Sequence, residues 1–312
     1  MVSVTVSIPG KGPQSFDFPG KTAAGVTVGD LKAAIRAKVP KFVPNRQRLT
    51  APSGGEKEKP LPLTDEGKSL ADYGVADGAK LRLKDLGYQV GYRWLFIWEY
   101  IGPIFINPAL LYVSQYIWGP YEPSQLQLTV RNLIVAHFVK RELESVFVHK
   151  FSRPSVPLTF VIRNCAYYWG ITGGLIGLTL YRPGYGAVAL KDSILNTPAW
   201  LNFWTAFILA NELLNLNTHL HLSSLRTAPG EPRKYPTGFG FQWIVCANYF
   251  FETMGVLGLV IITGGDIGTI VYLLIASYFM GLWAGQKYRR YKKEHDPKVF
   301  PGRRWVVFPP FF

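Results

Sequence analysis

Ionisable and amide side chains recur at helical spacing inside stretches of the sequence that are otherwise apolar. In one of these stretches Glu212, Asn215 and His219 follow at intervals of three and four residues, so they share one helical face. Arg226 comes shortly afterwards, and its guanidinium is suited to hold a phosphate through two parallel hydrogen bonds. The pattern fits a phosphate-bearing ligand, and the alternative is hydrogen bonding between neighbouring helices of a bundle.

A second polar cluster opens the apolar segment 243–263. Asn248 and Glu252 are four residues apart, and Tyr249 lies three residues before that glutamate. An amide, a phenol and a carboxyl group therefore meet within one helical turn. A neutral phenol can donate a proton near pH 7, and a nearby cation makes it a better acid. The alternative for the tyrosine is the common role of an aromatic side chain at a membrane interface.

Charged residues elsewhere in the apolar sequence are further candidates. Glu99 lies inside the apolar run LFIWEYIGP, where burying a carboxylate costs free energy. It is therefore a candidate functional residue, and the alternative is a buried carboxylate that is paired with another side chain for structural reasons. Lys140 and Glu144 share a helical face, which also fits a solvated helix end. Lys287 and Tyr291 share a face in a strongly basic segment whose charges also suit lipid headgroups.

Composition indicates which kind of fold must position these residues. Of 312 residues, 48% are hydrophobic and only 17% charged, whereas a soluble domain carries about 25% charged residues. This excludes disordered, collagen-like and coiled-coil proteins and argues against a purely soluble globule. The net charge of +14 fits a polyanionic ligand or an anionic membrane surface, and the apolar content favours the membrane over nucleic acid. Both cysteines lie in apolar stretches, so we expect neither a disulfide framework nor a metal site.

The composition changes near residue 88, which predicts two domains, residues 1–87 and residues 88–312. In the first, alternating valines predict a strand, Thr27 caps a predicted helix that runs to Lys38, and residues 80–83 predict a last strand. This order of elements resembles the ubiquitin-like β-grasp, an α+β fold. The chain continues beyond it, so we expect a fused module and not a conjugated modifier.

The second domain is predicted to be an α-helical multi-pass membrane protein with about six transmembrane helices. A spanning helix needs about 20 mostly apolar residues. The candidate segments are 94–113, 126–139, 157–181, 200–222, 243–263 and 267–286. Lysine and arginine are concentrated in alternate loops, so the positive-inside rule places both termini and the second and fourth loops in the cytosol.

The chain resembles the steroid 5α-reductase family in three segments, NLNTHLHLSSLRTAPGEPRKYPTGFGF, VCANYFFE and KYRRYKKEHDPKVFPGRRWVVFPPFF. Within that family it is similar to the very-long-chain trans-2-enoyl-CoA reductase branch in YQVGYRWLFIWEYIGP, in HFVKRELESVFVHKF and in its ubiquitin-like N-terminus. The resemblance implies an NADPH-dependent enzyme of the endoplasmic-reticulum membrane. Its reaction would be the final, reductive step of fatty-acid elongation, carried out among membrane lipid and the other elongation enzymes.

The same resemblance implies roles for individual residues. Tyr249 is implied as the proton donor, with Lys140 as the cation that assists it and Glu144 orienting that lysine. Gln89 and Glu99 are implied to face the reacting carbonyl of the substrate. The implied contacts of NADPH are Asn215, His219, Arg226, Asn248, Glu252, Lys287 and Tyr291.

Three alternative functions are left open by the sequence. A steroid or polyprenol double-bond reductase is the alternative within the family, and the ubiquitin-like module together with Lys140 and Glu144 favours the acyl-CoA branch. From other classes, the alternatives are a non-catalytic membrane adaptor that presents the ubiquitin-like domain, and a membrane methyltransferase with a similar C-terminal segment.

Overall fold

The computed structural model describes residues 1–52, 60–151, 154–227, 234–296, 298, 300 and 304–312. The chain divides into two compact units. The first unit comprises Met1–Gly91 with Ser155–Thr159, and the second comprises Tyr92–Pro154 with Phe160–Phe312.

The first unit is an α+β arrangement of one sheet and one main helix. Its strands are β1 (Val2–Ile8), β2 (Gly12–Phe18), β3 (Gln47–Ala51), β4 (Leu61–Pro62) and β5 (Lys80–Asp85), in the order β2-β1-β5-β3-β4. β1 is antiparallel to β2 and parallel to β5. A separate pair is formed by β6 (Gln89–Gly91) and β7 (Ser155–Pro157).

Local sequence signals account for the first unit. The alternating valines of β1 bury one face of the strand, as period-two patterning requires. α1 (Val28–Lys38) begins after Thr27, whose hydroxyl accepts from the N–H of Asp30 while the Asp30 carboxylate accepts from the N–H of Thr27. This capping box satisfies two backbone donors at the helix start, and the predicted helix is therefore confirmed.

The second unit is helical. Its α-helices are α2 (Tyr92–Trp118), α3 (Gln125–Leu143), α4 (Leu158–Tyr167), α5 (Ile176–Leu180), α6 (Pro198–Ser224), α7 (Ala247–Ile262) and α8 (Ile267–Glu294). π-helical segments continue α3 over Glu144–Val148 and join α4 to α5 over Tyr168–Leu175. Each of the six predicted apolar segments therefore coincides with a helix or a helical run.

Two of these helices, α2 and α8, are long and apolar enough to cross a membrane, judged by length and composition among the described residues. α7 is apolar but shorter, with 16 residues. α3 and α6 carry amide and charged side chains along one face, which lowers their apolar character. Helix length and apolar composition thus support two of the six predicted transmembrane helices.

Close packing of α6 on α7 brings their polar residues together. A Cβ atom at Gly258 of α7 would lie 2.6 Å from Cγ1 of Ile208 on α6, so only glycine permits this approach of the two helices. The contact continues along both helices to Asn215 and Asn248, where the side-chain amide of Asn215 donates a hydrogen bond to the backbone carbonyl of Asn248.

Candidate active site

Lys140 of α3 is the centre of a buried polar network in the second unit. Its Nζ donates to Oε2 of Glu212 at 2.9 Å and to Oδ1 of Asn215 at 2.6 Å, both on α6. Nζ also lies 3.4 Å from Oε1 of Glu144, four residues further along its own chain. A buried ammonium needs such partners, since a charge taken out of water without compensation is strongly destabilising.

The network continues from α6 to α7. Nδ2 of Asn215 donates to the carbonyl oxygen of Asn248 at 2.9 Å and to Oε2 of Glu252 at 3.0 Å. His137 joins two carboxylates, because its Nδ1 lies 2.7 Å from Oε1 of Glu212 and its Nε2 lies 3.6 Å from Oε1 of Glu252. Asn248 enters the network through its backbone, which side-chain spacing alone does not reveal.

A second branch is organised by Arg141, which the sequence analysis did not single out. Its Nη1 donates to Oε2 of Glu144 at 2.6 Å, and its Nη2 donates to the hydroxyl of Tyr100 at 2.9 Å. Nδ1 of His219 lies 3.2 Å from Nη1 of Arg141 and 3.1 Å from Oε1 of Glu144. Arg141 lies three residues before Glu144, on the same helical face, and this spacing is the sequence feature that could have predicted their ion pair.

Glu144, His149 and His219 could offer metal ligands, because one donor atom of each lies within 4.8 Å of the others. The guanidinium of Arg141 already contacts two of the three residues. A second cation at this place would be opposed by like-charge repulsion from that guanidinium. Burial lowers the pKa of His149 to about 3, so its imidazole is neutral at pH 7.

Glu144 is expected to make a pH-dependent contribution to stability. Although burial raises the pKa of its carboxyl, contact with His219 and the charge of Arg141 hold that pKa well below its usual value. A carboxyl whose pKa is lowered by folding stabilises the protein above its unfolded pKa of about 4.3, and this stabilisation is lost as the pH falls through the folded pKa.

We therefore expect Glu144→Gln to lower the melting temperature at pH 7, with the difference from wild type narrowing only as the pH falls below about 4. Thermal melts of both proteins at a series of pH values measure this difference. The exposed Glu294, which pairs with Arg290 at 3.6 Å, provides the control variant Glu294→Gln. A difference that stays constant with pH would contradict the prediction.

Tyr249 lies apart from the Lys140 network, in contact with α8. Nζ of Lys287 lies 4.2 Å from the centroid of its ring. Tyr249 and Asn248 are consecutive in α7. The backbone carbonyl of Asn248 meets Asn215 of α6, while the side chain of Tyr249 meets Lys287 of α8. Lys140, implied as the cation that assists Tyr249, instead bonds to Glu212 and Asn215, and the cation that the structure places beside Tyr249 is Lys287.

A cationic and aromatic cluster surrounds Tyr291 near the C-terminus. The ring of Phe300 lies 5.7 Å from that of Tyr291, and the ring of Tyr235 lies 5.0 Å from that of His295. The guanidinium of Arg304 lies 5.8 Å from the ring of Tyr235.

Three buried side-chain nitrogens of this region have no hydrogen-bond partner within the described part of the chain: Nε of Arg290, which lies 3.6 Å from a carboxylate oxygen of Glu294, Nε2 of His295 and Nε of Arg304. An unmet buried donor is costly, so this set fits an anionic ligand. The sequence showed only a basic segment here and did not distinguish these residues from its solvated charges.

The remaining predicted site residues are distributed over both units. Glu99 is buried in α2, where its Oε2 accepts from Nδ2 of Asn164 at 2.8 Å. Gln89 belongs to the first unit, in which its Oε1 accepts from the hydroxyl of Ser155 at 3.0 Å. Arg226 is exposed and follows the end of α6.

Comparison with known proteins finds relatives along nearly the whole chain. A family model described as 3-oxo-5-alpha-steroid 4-dehydrogenase matches residues 154–312. A very-long-chain enoyl-CoA reductase of Dictyostelium discoideum is 32% identical, covering 92% of this chain and 93% of its own. A Schizosaccharomyces pombe protein provisionally named an enoyl reductase is 33% identical over 99% and 100% of the two chains. A Trypanosoma brucei brucei protein provisionally named an enoyl-CoA reductase is 35% identical over 96% of each.

Proposed function

The chain belongs to the 3-oxo-5-alpha-steroid 4-dehydrogenase family, and from this we propose that it uses NADPH to reduce very-long-chain trans-2-enoyl-CoA. It is an enoyl-CoA reductase, an oxidoreductase that saturates the double bond between C2 and C3 of the thioester. The single observation that carries the proposed chemistry is the contact of the Lys287 ammonium with the Tyr249 ring, 4.2 Å from its centroid.

The reaction defines what the protein must supply. When bound, a reduced nicotinamide provides the hydride that adds to C3 of the enoyl thioester. Negative charge then develops on the thioester oxygen and on C2, so the protein must offer a hydrogen-bond donor and deliver one proton to C2.

We assign that proton to the hydroxyl of Tyr249. Transfer of its proton leaves a phenolate that the ammonium of Lys287 stabilises by opposite charge. Lys287 is therefore proposed as a positioning residue for Tyr249. The Lys140 network, which touches α7 through Asn248 and Glu252, holds the helix that carries the tyrosine.

Two groups of residues fit a nicotinamide dinucleotide. Asn215, Asn248 and Glu252 combine amide and carboxylate groups, which suit a carboxamide and ribose hydroxyls. The unmet nitrogens of Arg290, His295 and Arg304, beside aromatic rings, suit phosphate oxygens and a purine. The two guanidinium groups among them favour NADPH over NADH, because NADPH carries an additional phosphate.

Replacing Arg304 with Gln is expected to raise the KM for NADPH about 10- to 150-fold, because one charged hydrogen bond is worth about 1.5–3 kcal/mol. Initial rates at varied NADPH concentration measure the change. Arg289→Gln is the control, since Arg289 is exposed on α8. An unchanged KM for NADPH in the Arg304 variant would exclude this arginine from the cofactor site.

The membrane and cellular setting is also proposed. Exposed apolar side chains along α8, such as Leu274 and Tyr278, support a lipid-facing surface, and the alternation of basic loops supports six spans with both termini in the cytosol. The strand order of the first unit, with its capped helix, supports a ubiquitin-like fold. An endoplasmic-reticulum location and contact with the other elongation enzymes follow from the proposed step in fatty-acid elongation.

The test is NADPH consumption by the full-length protein in detergent micelles. We expect oxidation of NADPH with a long-chain trans-2-enoyl-CoA, and formation of the saturated acyl-CoA in equal amount. A 3-oxo-Δ4 steroid under the same conditions is expected to give no consumption above background. Turnover of the steroid without turnover of the enoyl-CoA would replace this proposal with the steroid reductase alternative.

A further inference from the structure

The outer face of the sheet in the first unit carries a cluster of like charges. α1 covers the inner face, because its Val28, Leu31 and Ile35 share one apolar core with the inward side chains of β1, β3 and β5. Side chains that alternate with these core residues along each strand point away from α1. On β3 and β5 they include four exposed cations, which we call the basic face: Arg48, Lys80, Arg82 and Lys84.

The charges of the basic face are not balanced by carboxylates within the described part of the chain. Arg48 and Lys84 are directly opposite each other in the antiparallel pairing of β3 with β5, where like charges destabilise a sheet. Asp85 alternates with Lys84 on β5 and is held by Arg46 at 2.6 Å. A partner that supplies negative charge would therefore relieve a repulsion that the folded unit contains.

Asp17 is an outward-pointing acidic residue of the same sheet, but it is distant from the basic face. It lies on β2, which is separated from β5 by β1, and its carboxylate accepts from the hydroxyl of Ser15 at 3.3 Å. The positive charge is thus concentrated on the β5 and β3 side of the sheet.

Hydroxyl groups complete the outer face of β1 and β3, at Ser3, Thr5, Ser7 and Thr50. A protein partner usually needs an apolar centre in its contact, with aromatic anchors, and the outward positions of these described strands offer neither. A layer of lipid phosphates needs only cations and hydroxyl donors spread over a flat surface. The composition of the face therefore favours an anionic membrane surface over a protein partner.

The first unit is joined without a linker to a helix that is suited to a bilayer. β6 ends at Gly91 and α2 begins at Tyr92, and α2 is long and apolar enough to cross a membrane. Lys84 precedes Tyr92 by eight residues. Such a short tether gives the bilayer surface a high effective concentration for the basic face, which a nucleic acid or a soluble acidic protein does not have.

We propose that the basic face docks on the anionic lipid headgroups of the membrane in which the protein resides, and so holds the first unit against the bilayer. This inference rests on the proposed membrane setting and does not depend on the proposed reaction. It gives the first unit a role in membrane attachment that is separate from catalysis.

Acetylation of native lysines in the full-length protein tests the proposal. The protein is placed in nanodiscs of phosphatidylcholine, or in nanodiscs in which phosphatidylinositol replaces about a quarter of that lipid, and labelling by acetic anhydride is followed by mass spectrometry. With phosphatidylinositol we expect the rate constants at Lys80 and Lys84 to fall by about fivefold or more, the factor contributed by one basic side chain at an anionic surface. Lys68 is the control, because its carbonyl accepts from Val28 at the start of α1, on the other side of the sheet.

The variant Arg48→Gln/Arg82→Gln removes two charges from the basic face and leaves both labelled lysines in place. We expect it to lose most of the protection by phosphatidylinositol. Arg36→Gln/Lys38→Gln removes the same charge from exposed positions in the last turn of α1 and should keep that protection. Salt at about 1 M should abolish it in the wild-type protein, because the screening length falls to about 3 Å. Thermal melts verify that both variants are folded.

Equal rate constants in the two kinds of nanodisc, an equal fall at Lys68, or full protection in Arg48→Gln/Arg82→Gln would overturn the proposal. Protection of Lys80 and Lys84 by a polyglutamate peptide or an RNA oligonucleotide, but not by phosphatidylinositol, would also overturn it and assign the face to an acidic protein or a nucleic acid. A protein that does not enter nanodiscs would contradict the membrane setting and this inference together. The proposed reaction fails separately, if the wild-type protein consumes no NADPH with any enoyl-CoA, because acetylation requires no turnover.

Discussion

Replacing Tyr249 with Phe is expected to lower kcat for enoyl-CoA reduction by about 10²–10⁴-fold, the usual contribution of a positioned general acid. The substitution removes one hydroxyl and keeps the ring over which Lys287 lies, so packing between α7 and α8 is retained. Stopped-flow or steady-state NADPH oxidation measures kcat, and a thermal melt of the same preparation verifies that the variant is folded.

Tyr278→Phe is the matched control for this experiment. Tyr278 lies on α8 and is 62% exposed, so loss of its hydroxyl is expected to leave kcat unchanged. A Tyr249→Phe protein that keeps wild-type kcat would refute the proton-donor assignment. If the protein were a non-catalytic adaptor, neither variant would differ from wild type in any measured property.

The second large effect is expected for Lys140→Met. Methionine leaves the carboxylate of Glu212 and the amide oxygen of Asn215 without the ammonium that bonds to both. Removing one partner of a buried ion pair costs about 3–5 kcal/mol, because the remaining carboxylate stays buried, here with only His137 beside it. At about 2–4 °C per kcal/mol for a domain of this size, the melting temperature should fall by roughly 6–20 °C.

The double variant Lys140→Met/Glu212→Gln separates an uncompensated charge from a simple loss of packing. Neutralising Glu212 removes the unpaired charge, so the double variant should recover part of the lost stability. Lys150→Met is the control, because Lys150 is exposed after the π-helical segment. A double variant less stable than Lys140→Met would show that the carboxylate is adequately paired by His137 alone.

Local patterns in the sequence were sufficient for most of the elements. The alternating valines of β1 predicted a strand with one buried face. Thr27 and Asp30 form a capping box at the start of α1, and each apolar segment of the sequence forms a helix. These features depend on residues within a few positions of one another. The clustering of Glu212, Asn215 and His219 on one face of α6 was predictable for the same reason, because helical periodicity is fixed by the backbone.

Partnerships between distant residues were decided only by the tertiary structure. Tyr249 meets Lys287 instead of Lys140 because its side chain leaves α7 toward α8, whereas the Lys140 network reaches α7 through the carbonyl of Asn248 and the carboxylate of Glu252. The sequence alone predicted the composition of the candidate site, with its amide, carboxyl, phenol and basic groups. Helices that are far apart in the chain pack together, and this packing determines which charged and hydrogen-bonding groups are paired. The energy of a pair depends on the distance between its two groups and on their burial, and no local sequence pattern encodes either.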